Sequence, residues 1–154
     1  MSITLLKDVL ISKGKLESYF EGAVPTTLWR ALNRKANQNV FDFIEQPMML
    51  SNGRPRPADI KIESRAGVKW VCIKDRPRGL STFDQPGLPE GKDWEYYKIP
   101  KGTVLPEGIA VVKDEYNTRF GATHYTIAPA YDMPLDQFKS KLAQLAAKLI
   151  KEAM

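Results

Sequence analysis

Apolar and polar positions in this chain follow two rhythms, helical spacing at both ends and short alternating or apolar stretches between them. Near the N-terminus Ile3, Leu6, Val9 and Leu10 fall on one face, which predicts a short amphipathic helix over residues 2–10 with Ser2 as its N-cap. Gly14, Gly22 and Pro25 mark the turn-rich stretch that follows. Residues 26–32 are β-branched and aromatic and predict a strand, and residues 40–45 read as a short helix. Residues 49–57 form a loop punctuated by Asn52, Gly53, Pro55 and Pro57. Further strands are predicted at 59–62, 68–73, 80–83 (bracketed by Gly79 and Gly87), 94–99, 109–112 and 123–128. At the other end Leu135, Phe138, Leu142, Leu145 and Leu149 draw one apolar stripe, with Pro134 and Asp136 suited to its start and Lys148 and Lys151 to its end. Many short strands followed by a long amphipathic C-terminal helix give an α+β single domain, a β core with flanking helices.

Composition narrows the classes. With 154 residues, 43% of them hydrophobic and 27% charged, the chain can bury one core and is not of disordered type. No run approaches the roughly 20 apolar residues of a membrane span. Lys7 and Asp8 interrupt the N-terminal apolar positions, so no secretory signal is legible. The expectation is a protein made and folded in a cytoplasm, or exported by a route needing no such signal, with no membrane partner. The lone Cys72 forms neither an internal disulfide nor a thiolate zinc site, and its apolar surroundings predict a buried, inert thiol. The net charge of +5 suits an anionic ligand without requiring one.

Generic catalytic motifs are silent. There is no glycine-rich phosphate loop of the Walker or dinucleotide type, a single histidine excludes a His-based metal cluster, and no nucleophile elbow accompanies His124. Four polar features remain. Arg30 shares a strand face with Leu28 and Leu32, so it is predicted at least partly buried, with a phosphate, a carboxylate ligand or a structural ion pair as partner. Ser81 and Thr82 follow Gly79 at the start of an apolar strand, a pair suited to positioning a sugar or to plain strand structure. His124 stands alone in its strand, either catalytic or structural. The polar run Asp114 to Arg119 reads as a turn just upstream.

Five blocks then occur in a familiar order: TLWRA (27–31), RPADI (56–60), LSTFDQPG (80–87), YKIPKGTVLP (97–106) and DEYNTRFGATHYTIAP (114–129). Over roughly residues 27–133 the chain resembles the type VI secretion exported cytotoxic effector family, with residues 1–25 as a variant N-terminal piece. The resemblance implies an ADP-ribosyltransferase-toxin-like fold, NAD as cosubstrate, action in the cytoplasm of a recipient bacterium, and a cognate immunity protein or antitoxin. It implies catalytic roles for Ser81, Thr82 and His124 and cofactor contacts from Arg30, Tyr125 and Arg119. It leaves the macromolecular target open, as well as transfer against NAD hydrolysis. One departure stands out: the late strand lacks the glutamate usual in that superfamily, carrying His124 and Thr126 instead, with Asp114, Glu115 and Asp132 as the nearest acids in sequence.

Two other readings compete. Arg54, Arg56, Arg65, Arg76 and Arg78 in the middle third would serve an RNA-directed enzyme such as a ribonuclease. The missing acid leaves room for a non-catalytic toxin that binds a host protein through the same scaffold.

Overall fold

A computed structural model describes residues 3–152. Its centre is a seven-stranded sheet in the order β1-β9-β10-β7-β2-β8-β12. These strands are β1 (Tyr19–Glu21), β2 (Leu28–Asn33), β7 (Leu80–Phe83), β8 (Trp94–Ile99), β9 (Ile109–Asn117), β10 (Ala122–Pro129) and β12 (Ile150–Glu152). A three-stranded sheet of β5 (Ile62–Arg65), β6 (Val68–Val71) and β11 (Met133–Pro134) flanks it. The two-residue strands β3 (Met48–Met49) and β4 (Pro55–Arg56) pair as a small hairpin. Two helices complete the α+β domain, α1 (Leu6–Ser12) and α2 (Leu135–Ala146), with one 3-10 turn at Leu16–Ser18. Among the described residues no helix is long and apolar enough to cross a membrane.

Alternation along the central strands gives each face of the sheet its own core. On one face Val111, Tyr125, Ile127 and Leu80 meet Phe138, Leu142 and Leu145 of α2. On the other Ala110, Val112 and Ala128 meet Leu6 and Leu10 of α1. Phe138 is fully buried and meets Phe43 edge to face at 5.8 Å. Cys72 is buried, and burial pushes its thiol pKa up.

Several elements depart from the sequence reading, each for a tertiary reason. The first helix begins at Leu6 rather than at residue 2; Leu5 is extended and bridged to Tyr131, while the Leu6 N–H donates to the Ala130 carbonyl. Ser2, the expected N-cap, lies outside the described residues; Leu5 fills the cap position without a side-chain bond. Residues 40–45 form no helix, because the carbonyls of Val40 and Asp42 are taken by Arg30. The strand expected at 59–62 lies at Ile62–Arg65, since the Asp59 carboxylate instead accepts the Ile44 N–H at 2.6 Å. β6 ends at Val71, and the Ile73 N–H is held by the Asp132 carboxylate at 2.7 Å.

The expected polar turn at 114–119 is largely strand, with β9 continuing to Asn117 against β10. The C-terminal stripe is helical only to Ala146. Leu149 still packs on the core, but the chain has turned, and β12 pairs with Tyr96–Lys98 of β8.

Candidate functional site

The site sits where the central sheet parts. β7 is paired with β10 at four positions, from Leu80↔Ile127 to Phe83↔His124, yet it meets β2 at the single pair Trp29↔Phe83. Beyond that pair the two strands diverge and a side chain spans the gap. The Arg30 guanidinium donates to the carbonyl of Ser81 across it (3.0 Å), and to Val40 (2.9 Å) and Asp42 (3.1 Å) in the neighbouring loop. Arg30 is therefore partly buried, as its strand face required, but its partners are backbone carbonyls rather than a carboxylate or phosphate. Burial pulls its pKa down to about 10, offset in part by Asp59 and Asp42, so the group stays charged at neutral pH.

A cleft of about 650 Å³ opens along this gap, within the range of small-molecule sites. Trp29, Phe83 and Trp94 give it an aromatic wall; Arg30, Ser81, Arg56 and Asp59 supply polar edges. A second cleft of about 440 Å³ adjoins it through Arg56, Asp59, Gly79 and Ser81 and reaches His124 and Thr126. Arg76 and Arg78 line this second cleft. Arg56 is paired with Asp59 at 3.5 Å. Arg78 differs: its Nε is buried and has no hydrogen-bond partner among the described residues. A buried charged donor without a partner is costly.

Period-two alternation sorts the expected residues between the two sides of the sheet. Ser81 is exposed and stands opposite Thr126, on the side of His124 and Phe83. Thr82 and Tyr125 point the other way. Thr82 is fully buried and donates to the Tyr125 carbonyl at 2.8 Å. Tyr125 is buried in the α2 core, where desolvation and then Asp84 raise its pKa. Arg119 is exposed in the β9–β10 turn, its guanidinium 5.6 Å from the Phe120 ring, and lines neither cleft. The structure thus brings Ser81, His124 and Arg30 to the clefts and sets Thr82, Tyr125 and Arg119 away from them.

Sequence reasoning left one contact unidentified. The register between β9 and β10 slips by a residue between Thr123 and Tyr125, so Asp114 and Glu115 together face His124. Asp114 Oδ2 lies 2.7 Å from His124 Nδ1 and accepts the Thr126 hydroxyl at 2.5 Å. The imidazole is also held edge-on by Phe83, with ring centroids 5.3 Å apart. Spacing alone could not reveal this contact, because it depends on the slipped register. Among the described residues no three His, Cys, Asp or Glu side chains converge as a metal site.

The model of the Tse2 ADP-ribosyltransferase toxin family matches residues 7–154 of the chain. Toxin Tse2 of Pseudomonas aeruginosa is 37% identical over 73 residues, which cover 47% of this chain and 46% of that protein. The chain thus spans about half the length of the curated relative it matches.

Proposed function

Because the chain belongs to the Tse2 ADP-ribosyltransferase toxin family, we propose that it is an NAD-dependent toxin that breaks the nicotinamide–ribose bond. It transfers ADP-ribose to a target, or to water, in the cytoplasm of a recipient bacterium. Delivery by type VI secretion and neutralisation by a cognate immunity protein belong to the same proposal.

The observation that carries this reading is the joined cleft at the β2–β7 parting, aromatic at one end and arginine-lined at the other. NAD has a matching division, with a flat nicotinamide joined through ribose to a pyrophosphate. Arg78, whose Nε has no partner among the described residues, lines the arginine end with Arg56 and Arg76, so the residues present fit the group. Bound there, NAD would supply an ADP-ribosyl group with nicotinamide as its leaving group. Trp29, Phe83 and Trp94 offer faces for the nicotinamide. Ser81 would offer a hydroxyl to the ribose, and Arg78 and Arg56 would hold the phosphates.

Arg30 works from behind in this scheme. It pins the Ser81 carbonyl and adds positive charge to the cleft, while Thr82 and Tyr125 fix the strands on which Ser81 and His124 stand. Holding the two halves of the dinucleotide apart and in line is where most of the acceleration would arise.

The test is growth of a bacterium expressing the wild-type chain or Ser81→Ala, Arg78→Gln or His124→Ala, with intracellular NAD and protein ADP-ribosylation followed together. Growth arrest by the wild type, relieved in folded variants, supports the reading; the NAD level then separates hydrolysis from transfer. Toxicity that persists in all three folded variants would overturn it and point to a binding surface.

A further inference from the structure

We propose that Asp114 and His124 form a dyad in which Asp114 fixes the imidazole tautomer and His124 Nε2 takes the proton of the incoming acceptor hydroxyl. The inference rests on the NAD-cleaving reading of the same site and supplies the proton acceptor which that reading leaves open.

Asp114 Oδ2 receives two contacts, His124 Nδ1 at 2.7 Å and the Thr126 hydroxyl at 2.5 Å. An ionised carboxylate only accepts hydrogen bonds, so Nδ1 carries the hydrogen. In the neutral ring Nε2 then keeps its lone pair. Nε2 makes no hydrogen bond within the described residues, and His124 forms part of the wall of the arginine-lined cleft. The ring is oriented from two directions, by Asp114 at one nitrogen and by Phe83 at its edge; Phe83 in turn meets Phe120 at 5.4 Å. A base held by an orienting acid, with its second nitrogen bare, is the arrangement that activates nucleophiles in unrelated enzymes. Bulges frequently re-aim side chains beside active sites, and this one sets Asp114 against the ring.

Two other carboxylates near the clefts are already engaged. Asp59 accepts the Ile44 N–H at 2.6 Å and pairs with Arg56, and Asp84 accepts the Thr123 N–H at 2.8 Å.

The step balances without a further reactant. The oxygen of an acceptor hydroxyl bonds to C1′ as the C1′–nitrogen bond breaks, and nicotinamide departs neutral with both electrons of that bond. The acceptor's proton passes to His124 Nε2, giving an imidazolium paired with the Asp114 carboxylate, which later returns the proton to solvent. With water as acceptor the same transfer yields hydrolysis. His124 is the catalytic residue and Asp114 a positioning residue.

His124 is the sole histidine, so the imidazole nitrogens of the whole protein give one pair of NMR signals. The experiment records ¹⁵N-histidine spectra of wild type, Asp114→Asn, Asp114→Glu and Thr126→Val, and measures kcat and KM on etheno-NAD by the fluorescence released with nicotinamide. In its neutral form the wild-type ring should carry its hydrogen on Nδ1. Asp114→Asn should shift the hydrogen to Nε2 and lower kcat by about 10²–10⁴-fold, with KM within about threefold. Asp114→Glu should recover part of the rate, and Thr126→Val should keep the tautomer and lose less than about tenfold.

A neutral wild-type ring with its hydrogen on Nε2 overturns the dyad. So does a folded Asp114→Asn with altered spectrum and wild-type kcat. Should that variant misfold, a rate in Asp114→Glu as low as that of His124→Ala, with the Nδ1 tautomer intact, overturns it instead. A wild type that shows the Nδ1 tautomer but leaves NAD whole both in buffer and in bacterial lysate overturns the NAD reading, a result distinct from the others.

Discussion

Replacing Gly79 by alanine sets two opposing effects against each other. An alanine limits the unfolded chain and would stabilise by about 0.4–1 kcal/mol if the native backbone accepted it. At Gly79, however, an added Cβ would lie 1.8 Å from the carbonyl oxygen of Ile127 and 2.8 Å from its carbon, with the Ala128 Cα at 3.1 Å. All three are backbone atoms of β10, so no flexible side chain can move aside. Real Cβ atoms essentially never come within 3.0 Å of another heavy atom, so the start of β7 must leave β10 by more than 1 Å. Overpacking of this kind costs about 1–3 kcal/mol, sometimes more, which exceeds the gain. At the upper end of that cost the net loss is about 2–2.6 kcal/mol, which should lower the melting temperature by about 4–10 °C in a chain of this size. The same displacement moves Ser81 relative to Thr126 and His124, so etheno-NAD turnover should fall with stability. Gly53→Ala is the control: its φ of 81° disfavours alanine, but nothing lies within 4 Å, so only about 1–2 kcal/mol is lost. If Gly79→Ala melts at or above wild type, the close approach of β7 to β10 is wrong.

Arg30→Lys replaces a three-bond fork by a single ammonium and should destabilise by about 2–3 kcal/mol in urea unfolding. Asp132→Ala strands the buried Ile73 N–H, a loss of about 1–3 kcal/mol, and also unpairs Arg65. Asp132→Asn, which can still accept from Ile73, should therefore unfold at a denaturant concentration between Asp132→Ala and wild type. Arg78→Gln should raise KM for NAD about tenfold, equivalent to one charge-assisted hydrogen bond. Its melting temperature should not fall, because the Nε it removes has no partner. Thr82→Val should cost about 1 kcal/mol through the lost bond to the Tyr125 carbonyl, read by thermal melting.

Elements whose identity is decided within their own residues were legible in the sequence. β7 and β8 lie where their alternation placed them, and β10 extends the 123–128 reading by one residue at each end. The departures come from distant groups. Nothing within residues 40–45 reveals that Arg30 will take two of their carbonyls, so their helical pattern misled. The polar residues at 114–117 read as a turn because their partner strand, not their own apolarity, makes them extended. Leu149 belongs to the core stripe yet lies beyond the helix, since pairing with β8 competes for the chain after Ala146. For the site, the types Arg30, Ser81 and His124 were visible. The assignment of sheet faces that separates Ser81 from Thr82 follows from register, and the arginines of the second cleft come from two separate segments.

The anchoring of Arg30 has a consequence for how the clefts breathe. Its guanidinium ties β2, the loop at Val40–Asp42 and the Ser81 backbone into one body, so that wall moves as a unit. Across the cleft the β3–β4 hairpin consists of two exposed two-residue strands, fastened to the neighbouring chain through the Arg56–Asp59 pair. Fluctuation should therefore be lopsided, with the hairpin side opening at lower free energy than the Arg30 side. Amide hydrogen exchange should be fast through residues 48–56 and slow at Arg30 and its strand neighbours.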